Sequence, residues 1–129
     1  MAKPNQPRPT DAELEILRIL WSRGPSTVRD VHLLMNQVKP TGYTTVLKLM
    51  QIMGDKNLVR RNEEQRAHIY EAALPQDTTQ QQLVGDLLDR AFGGSARQLV
   101  MQALASRPAS TEDLDEIRRL LDEYERGTR

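Results

Sequence analysis

Apolar residues recur at helical spacing in three successive runs, 14–21, 28–35 and 46–53, each bounded by residues that start or stop helices. Thr10-Asp11-Ala12-Glu13 has the form of a capping box, in which Thr10 accepts from first-turn amides and Glu13 reaches back. The helix it opens has a broad apolar face of Leu14, Leu17, Leu20 and Trp21, flanked by Ile16 and Ile19, and Gly24-Pro25 stops it. Ser26 or Thr27 caps the second helix, with Asp30 as the partner three residues after Thr27. Its buried side is Val28, Val31, Leu34 and Met35, with His32 beside them. Pro40 ends it and biases Lys39 towards extended backbone. Thr41 is the expected cap of a third helix that buries Val46, Leu49, Met50 and Met53 and leaves Thr44, Thr45, Lys48 and Gln51 free. Asn57 tolerates a left-handed backbone and suits that helix's end.

The pattern then changes period. Residues 58–61 read as a strand, 62–65 as a charged turn and 67–71 as the returning strand. Three short helices followed by a β-ribbon with arginines near its tip outline a winged helix-turn-helix over 10–75. Before it, residues 1–9 hold three prolines among polar residues and predict a disordered tail. Beyond Pro75 the helical pattern returns. Asp77 or Thr78 caps a helix carrying Leu83, Leu87, Leu88 and Ala91, which Phe92 closes before Gly93-Gly94. A second helix starts at a Ser95 cap and carries Leu99, Val100 and Leu104. A third, from Thr111 to about Arg126, carries Leu114, Ile117, Leu121 and Tyr124 in a short heptad-type seam, with Leu120 alongside. The expected fold class is therefore mainly α with a small β-wing: a winged helix-turn-helix domain over 10–75 and a helical domain over 76–129.

Three helices of this length cannot bury so many leucines among themselves. A second copy of the chain is the commonest solution, because closed two-fold dimers dominate oligomers, so 76–129 reads as a dimerisation domain. The expected dimer residues are Leu87, Leu88, Phe92, Leu99, Val100, Leu104, Leu114, Ile117, Leu121 and Tyr124. The alternative is that these helices pack back on the winged unit within a monomer.

Composition changes this picture in two places. The formal net charge is zero, yet residues 1–75 hold 11 basic against 8 acidic side chains and 76–129 hold 7 against 10. A basic half that meets a polyanion and an acidic half with another task is the implied division. Aromatic residues are only 4 % of the chain, so the core rests on Leu, Ile, Val and Met. The absence of cysteine removes disulfides and thiolate metal sites. No apolar run approaches a membrane span, no signal peptide is visible, and a cytoplasmic protein is expected.

Candidate chemistry is confined to the winged unit. Thr44, Thr45 and Lys48, with Gln51 further along, lie on the helix after the Pro40-Thr41-Gly42 turn, where recognition helices present hydroxyl, ammonium and amide groups to base edges and phosphates. Tyr43 reads as a phosphate contact or as packing on the second helix. Gly42 would let the backbone approach a phosphate. Arg60, Arg61 and Arg66 would hold the DNA backbone. His32 and His68 are the only histidines; His32 reads as a packing residue, and His68 as a phosphate contact or a plain surface residue. No metal site, cofactor site, phosphate loop or nucleophile–base pair is legible, and enzymatic function is not expected.

Six stretches carry a resemblance: TDAELEILRILW (10–21), STVRDVHLLM (26–35), GYTTVLKLMQIM (42–53), KNLVRR (56–61), RAHIYEA (66–72) and LLDRAFGGS (87–95). Their order and spacing resemble the penicillinase-repressor family, also called BlaI/MecI/CopY. The Gly-Tyr-Thr-Thr-Val run and the Phe-Gly-Gly-Ser break are the most specific parts. The resemblance implies a bacterial transcriptional repressor that binds inverted-repeat operators in double-stranded DNA as a homodimer. It also implies control of β-lactam response genes, and thus antibiotic resistance. In the best-known members a membrane sensor protease triggered by β-lactams leads to cleavage at an Asn-Phe bond in the second C-terminal helix. By position the match here is Gln102-Ala103, a different dipeptide. Copper-responsive relatives carry a cysteine motif that this chain lacks, which removes that route to metal sensing. The rival to the repressor reading is a winged-helix protein–protein adaptor without specific DNA binding. It draws on the neutral charge and on Glu63-Glu64 at the wing tip, which phosphates would repel.

Overall fold

The computed structural model describes residues 8–127, so residues 1–7 of the expected tail lie outside the described residues. In chain order the elements are α1 (Asp11–Arg23), α2 (Val28–Val38), α3 (Tyr43–Asp55), β1 (Val59–Asn62), β2 (Ile69–Ala72), α4 (Gln76–Ala91), α5 (Ala96–Ser106) and α6 (Thr111–Glu125). The fold is mainly α with a small antiparallel wing, a winged helix-turn-helix followed by further helices. The chain divides into two compact units between Leu83 and Val84, inside α4.

Local chemistry starts the first two helices. Thr10 accepts from the Glu13 amide at 3.2 Å and the Glu13 carboxylate accepts from the Thr10 amide at 2.9 Å, which completes a reciprocal box. Thr27 and Asp30 repeat it on α2. The Thr27 backbone N–H, ahead of the Thr27 hydroxyl and Arg23, holds the Asp30 carboxyl below its ordinary value of 3.8, against a smaller opposing effect of burial. A carboxyl whose pKa falls on folding stabilises the folded state above the unfolded value and loses that contribution as pH drops through the folded one. Asp30→Ala should therefore cost about 1 kcal/mol at pH 7. The gap to wild type should close below pH 3.8, read by urea unfolding monitored through the single tryptophan, Trp21.

The core of the first unit is Ile16, Leu17 and Leu20 from α1, Val28, Val31 and Met35 from α2, Val46, Met50 and Met53 from α3, then Leu58, Val59 and Tyr70 from the wing root. Each such side chain contributes about 1.5–3 kcal/mol on burial. The centre of α1 differs from the expected face. Ile16 is fully buried, whereas Leu14 and Trp21 pack only partly, and Trp21 spends its indole N–H on the Leu74 carbonyl at 3.0 Å. Leu34 and Leu49 are likewise only partly buried on their helices.

Helix α3 does not start at the expected cap. Gly42 is the N-cap and supplies no side-chain bond, because the Thr41 hydroxyl is turned to the Lys39 carbonyl at 2.8 Å. Asn57, with φ of 64°, ends the helix in the left-handed region and releases the chain into β1. Both strands are shifted along the chain, and the returning one is a residue shorter than expected. Asn62 pairs with Ile69 rather than turning, and residues 63–68, His68 included, form the tip. Tyr70 also exchanges two backbone bonds with Ser26, at 2.9 and 2.8 Å, which anchors the wing to the α1–α2 loop.

Helix α4 begins at Gln76, directly after Pro75, so Asp77 lies in its first turn and does not cap it. Further on, the Gly94 amide bonds back to the Leu88 carbonyl at 2.8 Å, with Gly93 and Gly94 at φ of 55° and 82°. Ser95 caps α5 and Ser110 caps α6. No residue of Val84–Gly127 is buried. No described helix is long and apolar enough to cross a membrane.

Candidate nucleic-acid interface

With Val46, Met50 and Met53 committed to the core, the opposite side of α3 is fixed by helical geometry. Thr44, Lys48 and Gln51 form one exposed stripe, with Thr45 a turn-width to its side. The stripe also holds two residues that the sequence reading passed over. Asp55 closes its far end, and Ile52, beside Thr45 and Lys48, is partly open. Tyr43 is 47 % exposed at the helix start and stands edge-on to His32, ring centroids 5.6 Å apart. Helices α1, α2, α5 and α6 begin on a Ser or Thr side-chain cap, whereas α3 begins on Gly42, so no side chain occupies its first-turn amides. Gly42 itself has an ordinary φ of −72°, and a Cβ there would meet nothing closer than 3.8 Å. The small residue keeps the approach open; the backbone does not require it.

The wing belongs to the same compact unit. Arg60, Arg61 and Arg66 are all exposed. Arg60 faces Glu71 across the ribbon, and Arg61 faces Tyr70. Arg61 is ion-paired with Glu63, and hydrogen bonding to the Tyr70 side chain, then to Glu63, raises its pKa further. The acidic tip is thus partly neutralised by the wing itself, which nothing in the linear order revealed. The Glu64 backbone amide donates to the Asn62 side chain at 2.9 Å. An open cleft of about 800 Å³ lies along the ribbon, with Arg60 and Arg61 set among Glu63, Glu64 and Glu71. The expected α3 residues therefore share one exposed side, while the three arginines lie apart on the wing.

In the second unit the expected dimer residues are all at least partly open. Leu87, Val100, Leu104, Leu121 and Tyr124 are exposed, and Leu88, Phe92, Leu99, Leu114 and Ile117 are half-buried. Gln102 and Ala103 are exposed within α5, so their peptide bond is held in a helix. Among the described residues no group of three His, Asp or Glu side chains converges as metal ligands would.

Comparison with known proteins gives the geometry its context. The transcriptional regulator BlaI of Mycobacterium tuberculosis is 34 % identical over 118 residues, covering 91 % of this chain and 85 % of that protein. Penicillinase repressors from Bacillus licheniformis and Staphylococcus aureus are 20 % and 17 % identical, over 92 % and 87 % of this chain and 92 % and 89 % of their own. Residues 9–123 match the family described as penicillinase repressor, and on that extent the chain belongs to the penicillinase-repressor family.

Proposed function

We propose that this protein is a bacterial transcriptional repressor that binds an inverted-repeat operator as a homodimer. The observation that carries the reading is the exposed stripe of Thr44, Lys48 and Gln51, with Thr45 beside it, on a helix whose first turn no side chain caps, inside a winged unit. In this reading Thr44, Thr45, Lys48 and Gln51 face base edges in the major groove. Tyr43 and the first-turn amides meet a phosphate, and Arg60, Arg61 and Arg66 hold the backbone. The open leucines of 84–127 pack on a second copy, which spaces two winged units over two half-sites. Residues 10–75 then read the DNA and 76–129 hold the dimer.

Control of β-lactam response genes, and release by a sensor protease, belong to the same proposal. The Gln102–Ala103 bond is on the exposed surface of α5, and a cut there would detach α6 from the rest. Because the bond is helical, α5 must unwind locally before a protease can take it in extended form. The adaptor reading keeps one supporting observation, the carboxylates of Glu63 and Glu64 at the wing tip.

Fluorescence anisotropy with the DNA upstream of the gene, across a salt series and against a scrambled duplex, separates the two. A repressor binds the first duplex tightly, with strong salt dependence; an adaptor binds neither. Lys48→Ala should weaken operator binding by about 1–3 kcal/mol while leaving the oligomeric state unchanged. Wild-type affinity in that variant would remove Lys48 from the groove.

A further inference from the structure

The start of α3 is held by α2 rather than by its own cap. Asn36 Oδ1 accepts the Thr41 N–H at 2.8 Å, and His32 Nε2 lies 2.8 Å from the Thr41 carbonyl oxygen. A carbonyl only accepts, so Nε2 carries the proton and donates, whether the ring is neutral or charged. His32 and Asn36 are four residues apart and share one side of α2. Between them they bind both backbone polar groups of one residue, Thr41, just before the Gly42 N-cap. The His32 ring also meets the Tyr43 ring edge-on, at an interplanar angle of 82°. The packing of α2 on α3 rests on other residues, Val31, Met35, Val46 and Met50. The polar pins therefore set where the α2–α3 turn sits, not whether the helices pack.

We propose that His32 and Asn36 are positioning residues for DNA reading: by clamping Thr41 and orienting Tyr43, they fix the height and rotation of the first turn of α3. This rests on the reading in which α3 meets base edges. Groups that read bases must be held within a fraction of an ångström, and a turn freed of its pins loses that placement. Phosphate contacts made from the wing do not depend on it.

The test uses the full chain, with a duplex that the wild-type protein has selected from genomic fragments and a scrambled duplex of equal length. His32→Phe keeps an aromatic edge for Tyr43 and removes the donor; Asn36→Ala removes the acceptor; His32→Gln restores a donor of similar reach. His32→Phe and Asn36→Ala should each lose about ten-fold in affinity for the selected duplex, with scrambled-duplex affinity and salt slope nearly unchanged, and His32→Gln should recover most of the loss. An unchanged selected-to-scrambled ratio in His32→Phe and Asn36→Ala overturns the proposal. So does an equal loss in all three variants that follows their thermal midpoints, since that marks a purely structural role. If His32→Phe fails to fold, Asn36→Ala decides, because Asn36 is exposed. Failure of the wild type to select any duplex would instead defeat the DNA-binding reading itself, and the proposal with it.

Discussion

Leu121→Glu should turn the homodimer proposed above into a 14.7 kDa monomer in sedimentation velocity and cost at least about a hundred-fold in operator affinity. The reason lies in how α6 is built. Its apolar positions, Leu114, Ile117, Leu121 and Tyr124, follow a three-four-three spacing, yet none of them is buried. Leu121 and Tyr124 are 57 % and 62 % exposed. One open leucine on a surface is ordinary, but a seam of apolar residues on a helix otherwise rich in Asp, Glu and Arg is the pattern the proposed dimer contact requires. A carboxylate placed there must lose water without gaining a partner, which costs several kcal/mol at each of two symmetric positions. The winged unit should keep its own stability, since Leu121 lies outside its compact unit. Operator affinity then falls through lost bivalency and not through damaged contacts, so binding to an isolated half-site should be almost unchanged. Leu121→Met serves as the volume-matched control and should remain dimeric. A sedimentation profile identical to wild type at micromolar concentration would remove the seam from α6.

What could be read from the sequence follows the range of the interactions. The boxes at Thr10–Glu13 and Thr27–Asp30 were legible because each closes within three residues, and so was the left-handed exit at Asn57. The helix-plus-ribbon outline was legible because the hydrophobic period changes from helical to alternating. The rotational phase of α1 was not. Leu14, Ile16, Leu17, Ile19, Leu20 and Trp21 cover most of the helix, and only packing against α2, α3 and β2 selects Ile16 as its centre. Thr41 failed as a cap because its hydroxyl has a nearer acceptor in Lys39, while its amide and carbonyl are taken by α2. A loop threonine gives no sign in sequence of which neighbour it will choose. The α3 stripe was legible as the complement of a core face. The pairing of Arg61 with Glu63 and Tyr70 was not, because it depends on the ribbon's register, which strand bounds alone do not give. The tie between Ser26 and Tyr70 crosses from a loop to a strand and leaves no periodic trace.

Another long-range interaction hidden from the sequence predicts the largest stability effect. Glu13, read from sequence only as a capping residue, is 2 % exposed, and both its carboxylate oxygens accept from Lys56 Nζ, at 3.0 and 2.9 Å. Lys56 is the C-cap of α3, so the pair ties the start of α1 to the point where α3 hands over to the wing. Lys56→Met should leave a buried carboxylate that, among the described residues, keeps the Thr10 amide as its remaining hydrogen-bond donor. Breaking a buried pair from one side costs about 3–5 kcal/mol, and the lower end applies because the Lys56 side chain keeps 29 % of its surface in water. For a unit of this size about 3 kcal/mol lowers the melting temperature by roughly 12 °C or more. Trp21 fluorescence reads it, because the chain's single tryptophan lies in the first unit. Glu13→Leu with Lys56→Met should recover much of the loss, since replacing both charges by apolar groups removes the unpaired ion. It cannot recover all of it, because Glu13 also completes the α1 capping box. If Lys56→Met melts within about 3 °C of wild type, the carboxylate reaches water or a proton by another route, and the clasp between α1 and the wing root is not a stabilising one.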